Sequence, residues 1–465
     1  MGVLVEWRCD EHFWEDYDTS YPLKFPTMIH TSRSLLRVGA PSKRALFSTK
    51  PFLHHLTYTP LPDKSPNYPL LQQILLEITN LTVKDEPRAI TFTPVLGGIT
   101  NQLFRADFQH HESDPLLVRI FGGEGMIDRT IENAVFSGLA AKGVAPSYLG
   151  RFANGRVEGW YSNAEPLELD QMSDPNLSTK VACEMAKLHT YTIPSDIIND
   201  DNKTLLTQPA MWNQLESWLQ QAKDTASEIE HRWGKEVGDR FRSLHETYYS
   251  STDEPGSSSF NFDRVDMELQ QLKKNMPYSP TIFAHNDLLA GNIMLHTDTG
   301  DAKLIDFEYG GVNYRGFDIA NHWNEWAGGT QEEMNGVCEY HRFPSPAEQI
   351  NFCRAYLEQA ALEDTEALFL QGEAATWEGT GGGALDQDEL FEAALNSINT
   401  KPKVTEEDVL SLVEEANQFV LVNHWYWGLW AVNQTTMEGV EGFDYLTYAE
   451  SRAKRYYETS TGTTA

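Results

Sequence analysis

Residues 282–328 read IFAHNDLLAGNIMLHTDTGDAKLIDFEYGGVNYRGFDIANHWNEWAG, and the fold hangs on them. Four apolar or small residues, Thr281 to Ala284, run into His285-Asn286-Asp287, a polar cluster where a buried strand would end. Asn292 follows five residues after Asp287 and opens a second apolar run, Ile293-Met294-Leu295. A polar hairpin then leads to Lys303-Leu304-Ile305 and Asp306. Two acids and an amide thus stand at the ends of three short strands, which is how a chain builds a metal–phosphate site. Groups that would hold the phosphate must come from elsewhere.

Upstream, the spacing of Leu70, Leu71, Ile74, Leu75 and Ile78 predicts a helix over 68–81. Alternating segments at 90–95, 103–108 and 116–121 predict three antiparallel strands. Between the first two lies Val95-Leu96-Gly97-Gly98-Ile99-Thr100-Asn101. A Gly pair there lets the backbone approach a ligand and turn its N–H groups toward phosphate oxygens, although Gly-Gly is also an ordinary hairpin turn. Arg119 sits amid the apolar third strand, where a charge needs a partner or a ligand. Glu132 is the best-placed acid of a helix expected over 128–142. Two more strands are expected at 147–152 and 157–161 around Asn154-Gly155, with 161–166 as the connection between lobes.

From Leu177 the pattern turns helical, at 178–189, 212–219, 242–249 and 263–274. Beyond the quoted stretch a helix is expected over 346–362, then an acidic insertion over 372–403. Thr405 caps a long helix through Val432, with Glu407 near its start, and 445–457 closes the chain. Residues 1–68 lack sustained periodicity and are read as a poorly ordered extension, 69–163 as the N-lobe and 164–465 as a helical C-lobe.

The formal charge of −32, from 68 acidic against 36 basic residues, repels nucleic acid and anionic membrane and favours a small cation. With 40% hydrophobic residues and 12 Trp the chain is globular. Four scattered cysteines without a CxxC suit a reducing, cytoplasmic setting. The longest apolar run, 420–432, is interrupted by Asn423 and His424 and reads as a buried helix, so membrane insertion is not expected. The first twenty residues carry acids and no apolar core of a signal peptide. Residues 31–50, rich in Ser and Arg, resemble a transit peptide in composition but are read as a disordered segment.

The Asp287/Asn292 spacing is that of a phosphotransferase catalytic loop, in which the Asp takes the attacking hydroxyl's proton and the Asn helps hold Mg²⁺. Asp306 supplies a second hard oxygen. Taken singly, Asp287 could cap a turn and Asp306 merely end a strand; order and spacing favour the catalytic reading.

LGGITNQLF, LLVRIFGGEGMIDRTIE, LGRFANGRVE, HNDLLAGNIML, LIDFEYGGVNYRGFDIANHWNEW, YWGLWAV and FDYLTYAESRAKRYYE together resemble the choline/ethanolamine kinases, over roughly 90–460. These are relatives of the protein-kinase and aminoglycoside-phosphotransferase fold. The resemblance implies an α+β, two-lobed protein-kinase-like fold with a small antiparallel-sheet N-lobe and a mainly helical C-lobe. It implies ATP and Mg²⁺ as cofactors, Asp287 as catalytic base, and Asn292 and Asp306 as metal ligands. Arg119 would lie on the ATP phosphates with Glu132 orienting it, and Gly97, Gly98, Thr100 and Asn101 would form the lid. The amine pocket would comprise Tyr309, Glu325, Trp427, Trp430, Phe443 and Tyr445. Asp306-Phe307 is followed by Glu308 rather than Gly, so no protein-kinase activation segment is implied.

An amino-alcohol cation is small, so its selection must use an acid and aromatic faces. Trp427 and Trp430 stand three apart with Gly428 leaving room between them, and Asp318 and Glu325 share a face if their segment is helical. HNDLL, NHWNEWAG and CEMAKLH look more like ethanolamine kinases. The tyrosine-rich stretch that often follows Glu-Trp in choline kinases is here Ala327-Gly328-Gly329-Thr330. The expected reaction is ATP-dependent phosphorylation of ethanolamine, the first step of the CDP-ethanolamine route to phosphatidylethanolamine. Choline or dual activity, another small-molecule kinase and a catalytically inactive binding protein of the same fold are the alternatives. Oligomeric state is not legible, a homodimer being one allowed state.

Overall fold

The computed structural model describes residues 50–80, 90–95, 101–109, 114–122, 129–198, 202–251, 260–379 and 404–461. Gly97, Gly98 and Thr100, residues 1–49 and residues 380–403 of the expected insertion lie outside them.

The N-lobe is a six-stranded sheet in the order β1-β5-β6-β4-β3-β2. Its strands are β1 (Phe52–Leu53), β2 (Ile90–Val95), β3 (Asn101–Phe108), β4 (Leu116–Phe121), β5 (Tyr148–Phe152) and β6 (Gly155–Gly159). Pro94 is tolerated because β2 is an edge strand. Helix α1 (Tyr68–Thr79) lays Leu71, Ile74, Leu75 and Ile78 against Phe104, Val118, Ile120 and Val157, which closes the lobe's core. Helix α2 (Arg129–Lys142) covers β5 on another side.

Expectation set the lobe's beginning at residue 69; the structure begins it at Phe52. β1 pairs in parallel with β5, and Tyr58 is buried with its N–H and carbonyl both bonded by the Asn154 side chain. A two-residue strand has no period to detect, which is why the sequence does not announce it.

The C-lobe comprises α3 (Pro175–His189), α4 (Lys203–Thr207), α5 (Met211–Thr225), α6 (Ile229–Trp233), α7 (Lys235–Leu244), α8 (Asp263–Asn275), α9 (Arg315–Glu325), α10 (Pro346–Gly379), α11 (Glu406–Glu438) and α12 (Tyr445–Ser460). The helix expected over 346–362 therefore runs on to Gly379. Thr405 does cap α11, in a capping box closed by Asp408. At 33 residues α11 is about 50 Å long, and it packs against both α9 and α12.

Five short strands seat the quoted stretch. β8 (Thr281–Ala284) pairs with β11 (Gly311–Tyr314), and β7 (Ala164–Pro166), β9 (Ile293–His296) and β10 (Ala302–Leu304) form a three-stranded sheet. Register does the positioning. Ile293 faces Leu304, and the Ile305 N–H donates to the Asn292 carbonyl at 3.0 Å, so Asn292 and Asp306 leave the same end of one ladder. Ala284 faces Gly311, which brings Tyr309 beside His285-Asn286.

Candidate active site

Asp287 is aimed by its predecessor. Asn286 adopts a left-handed conformation, φ 65°, that a non-glycine residue holds only when its surroundings demand it. The demand comes from Asp318 on α9, a fully buried carboxylate that accepts the N–H groups of His285 (2.8 Å) and Asn286 (2.7 Å) and contacts His189 Nε2 (2.9 Å). The Asn286 amide adds a bond to the Tyr309 carbonyl at 2.8 Å and accepts one from Asn313 at 2.7 Å. Burial alone would raise the Asp318 pKa, but its bonds and charge partners outweigh that and hold it below the ordinary value.

Asn292 Nδ2 donates to the Asp287 carbonyl at 2.8 Å and to its carboxylate at 3.3 Å, which leaves the amide oxygen of Asn292 for another partner. Burial first, then the charges of Glu325, Asp306 and Glu308, push the Asp287 carboxyl well above its usual pKa. A carboxylate so poised can accept a proton from a neighbouring hydroxyl.

Asp306, also left-handed at φ 62°, accepts from Arg119 Nη1 at 3.0 Å. Arg119 Nε is bound to Glu158 at 2.9 Å. Here an expectation is corrected: Glu132 does not hold Arg119. Its carboxylate takes Arg156 and Arg129, each at 2.7 Å, while Arg156 Nε meets Glu158 at 2.6 Å. Strand register explains the exchange. Arg119 and Arg156 are direct cross-strand partners, and Glu158, two residues along the same strand face, neutralises both. Burial lowers the Arg119 pKa, but Glu158 and Asp306 more than offset it, so its charge is secure. Asn101 reaches Glu308 at 3.2 Å, and Glu308 also lies 4.0 Å from Arg129.

On the helical side Tyr309, Trp427, Trp430, Tyr445 and Phe443 form a chain of edge-on ring contacts, with successive centroids 5.7, 5.4, 5.6 and 4.9 Å apart. Trp427 is fixed by its indole N–H on Asn321 at 2.6 Å. Tyr445 spends its hydroxyl on Glu438 at 2.9 Å. Gly428 differs from expectation: a Cβ there would meet the Tyr249 hydroxyl at 3.5 Å and Arg452 Cβ at 3.7 Å, both ordinary contacts, so the position faces these buried side chains rather than a gap between the indoles. Glu325 is not a free acid. It is paired with the fully buried Arg452 of α12, which also donates to the Tyr448 hydroxyl.

Glu158, Arg156, Glu308 and Arg452 escaped sequence reasoning. The available signals were two charges at i, i+2 in Gly155–Gly159 and an Arg within the Tyr445/Tyr448/Ala449/Tyr456 stripe of α12.

Residues 92–457 match the choline/ethanolamine kinase family profile. The chain is similar to human choline/ethanolamine kinase, 30% identical over 80% of this chain and 81% of that protein. It is also similar to a probable choline kinase of Arabidopsis thaliana, 27% identical over 85% and 94% of the two chains. Among solved structures, Plasmodium vivax ethanolamine kinase shares the fold at a TM-score of 0.57 and 21% identity, covering 85% of this chain and 91% of that one. No helix among the described residues is long and apolar enough to cross a membrane.

Proposed function

The chain belongs to the choline/ethanolamine kinase family, and on that premise we propose that it transfers the γ-phosphoryl group of ATP to the hydroxyl of ethanolamine. The observation that carries the reading is the double neighbourhood of Asp287. Its carboxyl feels Asp306 and Glu308 on the strand-built side and Glu325 on the helical side, so one base lies between a phosphate site and an amine site.

In this reading Asp287 takes the hydroxyl proton as the oxygen attacks phosphorus. Arg119, an always-charged planar fork, turns from Asp306 to the phosphate oxygens. Asn101, with Gly97, Gly98 and Thr100 as its partners in this role, is assigned to the phosphates. The donor set suits magnesium. Among the described residues no three acidic, His or Cys side chains form a metal cage, and Mg²⁺ that shares substrate phosphates and water needs only one or two protein oxygens. Asp306 and Asn292, leaving one ladder end, would supply them. When bound, the ion would offset the negative charge that develops during transfer.

Ethanolamine is preferred over choline because 327–330 offers no aromatic wall. Gly328 and Gly329 take φ of 64° and 110°, and a Cβ on Gly329 would stand 2.8 Å from Cys338 Sγ and 3.2 Å from the Tyr448 ring. A choline or dual activity is the second reading, favoured by the intact Trp427–Trp430 pair. The product would enter the CDP-ethanolamine route, and the free thiols Cys183, Cys338 and Cys353 suit a reducing cytoplasm. The test is kcat/KM for ethanolamine and choline on one preparation with Mg-ATP. A higher value for ethanolamine is expected; a higher value for choline overturns the substrate.

A further inference from the structure

Arg452 stands in the apolar stripe of α12 with no solvent exposure. One of its nitrogens, Nη2, serves both Glu325 and Tyr448, while Nε and Nη1 are buried without a hydrogen-bond partner. Such an arrangement is a poor way to gain stability, since a well-packed apolar residue often does as well or better than a buried ion pair. The chain keeps it against the helix that carries the indoles: the Gly428 position, between Trp427 and Trp430, lies beside the Arg452 stem. Tyr448 in turn touches the Trp430 and Phe443 rings, with centroids at 6.3 and 5.8 Å. Glu325 is thereby linked through Arg452 and Tyr448 to the aromatic group.

We propose that Arg452 is a positioning residue of the amine site: by gripping one oxygen of Glu325 it fixes that carboxylate as the acceptor for the substrate's cationic nitrogen, without touching the substrate. The assignment rests on the amino-alcohol kinase reading above. It also limits the loss of the carboxylate's charge. Burial raises the Glu325 carboxyl above its ordinary pKa, and Arg452 is the cation that holds that rise back. Around the Glu325–Arg452 pair the other titratable and charged groups are Asp287 from the catalytic loop, Cys338 and Tyr340 from the loop before α10, His424 and Tyr448 from α11 and α12, and Arg455 further along α12. With its cation gone, Glu325 takes up a proton at higher pH and ceases to accept an ammonium well.

The experiment compares the wild-type chain with Arg452→Lys, Arg452→Met, Glu325→Gln and the double variant Glu325→Gln/Arg452→Met, with ethanolamine as the varied substrate. Arg452→Met should raise the amine KM about 10- to 100-fold, the weight of a hydrogen bond to a charged group, with a much smaller change in kcat. Its KM should also rise more steeply than the wild type's as pH falls, because a carboxyl already raised by burial has lost the cation that held the rise back. Arg452→Lys should restore most of the affinity. If Arg452→Met fails to fold, the double variant keeps the question open to measurement, since it buries no lone charge. It should match Glu325→Gln alone, because Arg452 acts only through Glu325. An Arg452→Met enzyme with wild-type KM and the wild type's own pH profile overturns the assignment, as does a double variant whose losses add. A wild type that phosphorylates neither ethanolamine nor choline overturns the function itself and this assignment with it.

Discussion

The strand-built wall of the cleft and the helix-built wall handle charge in opposite ways. On the first, Arg119, Glu158, Arg156, Glu132 and Arg129 alternate in sign from β4 through β6 to α2, each carboxylate shared by two guanidinium groups. The ladder ends on Asp306, which takes the free end of Arg119; in the proposed reaction that is where the polyanion would approach. On the second, five rings meet edge to edge and the acid Glu325 already has its cation. A rigid grid of charges suits a ligand that must be aligned, whereas ring faces suit a small cation whose charge is diffuse.

Asp287 lies between the walls, and its loss should give the largest effect. Asp287→Asn is expected to lower kcat by about 10²–10⁴-fold while leaving nucleotide and amine binding in place, measured by steady-state kinetics and calorimetry. Stability should move the other way. The Asp287 pKa is raised in the fold, so its contribution favours folding below the unfolded carboxyl pKa and is lost as pH rises through the folded value. Asp287→Asn should therefore melt above the wild type near neutrality, and the gap should close in acid.

Glu158→Gln tests whether the ladder is one unit. It leaves two buried guanidinium groups facing each other across β4 and β6, with an expected loss of about 3–5 kcal/mol in urea denaturation. Glu132→Gln should cost less, because Arg156 keeps Glu158. Equal costs would mean that the central carboxylate has no special place.

His322 ties α9 to the catalytic loop. Its Nδ1 contacts the Leu288 carbonyl at 3.0 Å and its Nε2 lies 3.4 Å from the Trp326 indole nitrogen, a pair of contacts suited to the neutral ring. Burial pushes its pKa down to about 4. Its stabilising contribution is full above the unfolded value and is lost as pH falls from about 6.5 toward 4, to the extent of about 3 kcal/mol. His322→Asn should flatten the fall of unfolding free energy across that window. The smallest effect belongs to the rings: Trp430→Ala should raise the ethanolamine KM about 2- to 30-fold, the range of a cation–π contact of about 0.5–2 kcal/mol, with kcat nearly unchanged. A larger change in kcat than in KM would place Trp430 with the reacting atoms instead.

The two walls were also unequally legible. Asp287, Asn292 and Asp306 lie within twenty residues of one another, and short apolar runs announce the strands that carry them. Trp427 and Trp430 share one helix face, which periodicity reveals. The partner of Arg119 could not be read in this way, because it depends on which residue of a distant strand stands opposite. A helix carboxylate was the natural expectation; the register of β4 on β6 supplied Glu158 instead. Arg452 was visible only as a charge where the stripe of α12 called for an apolar residue. The run of α10 to Gly379 shows Glu and Ala in Gly372–Thr376 outweighing a single glycine, whose helix cost is about 1 kcal/mol.

The parallel pairing of β1 with β5 imposes an order in time. Phe52 and Leu53 leave the ribosome about a hundred residues before their partners Arg151 and Phe152, an interval of roughly 5–20 s at usual rates of synthesis. Throughout that interval the first strand of the sheet, and the Tyr58 that will lock beneath Asn154, must remain unpaired and available. The N-lobe is thus sealed at its edge by the segment made earliest.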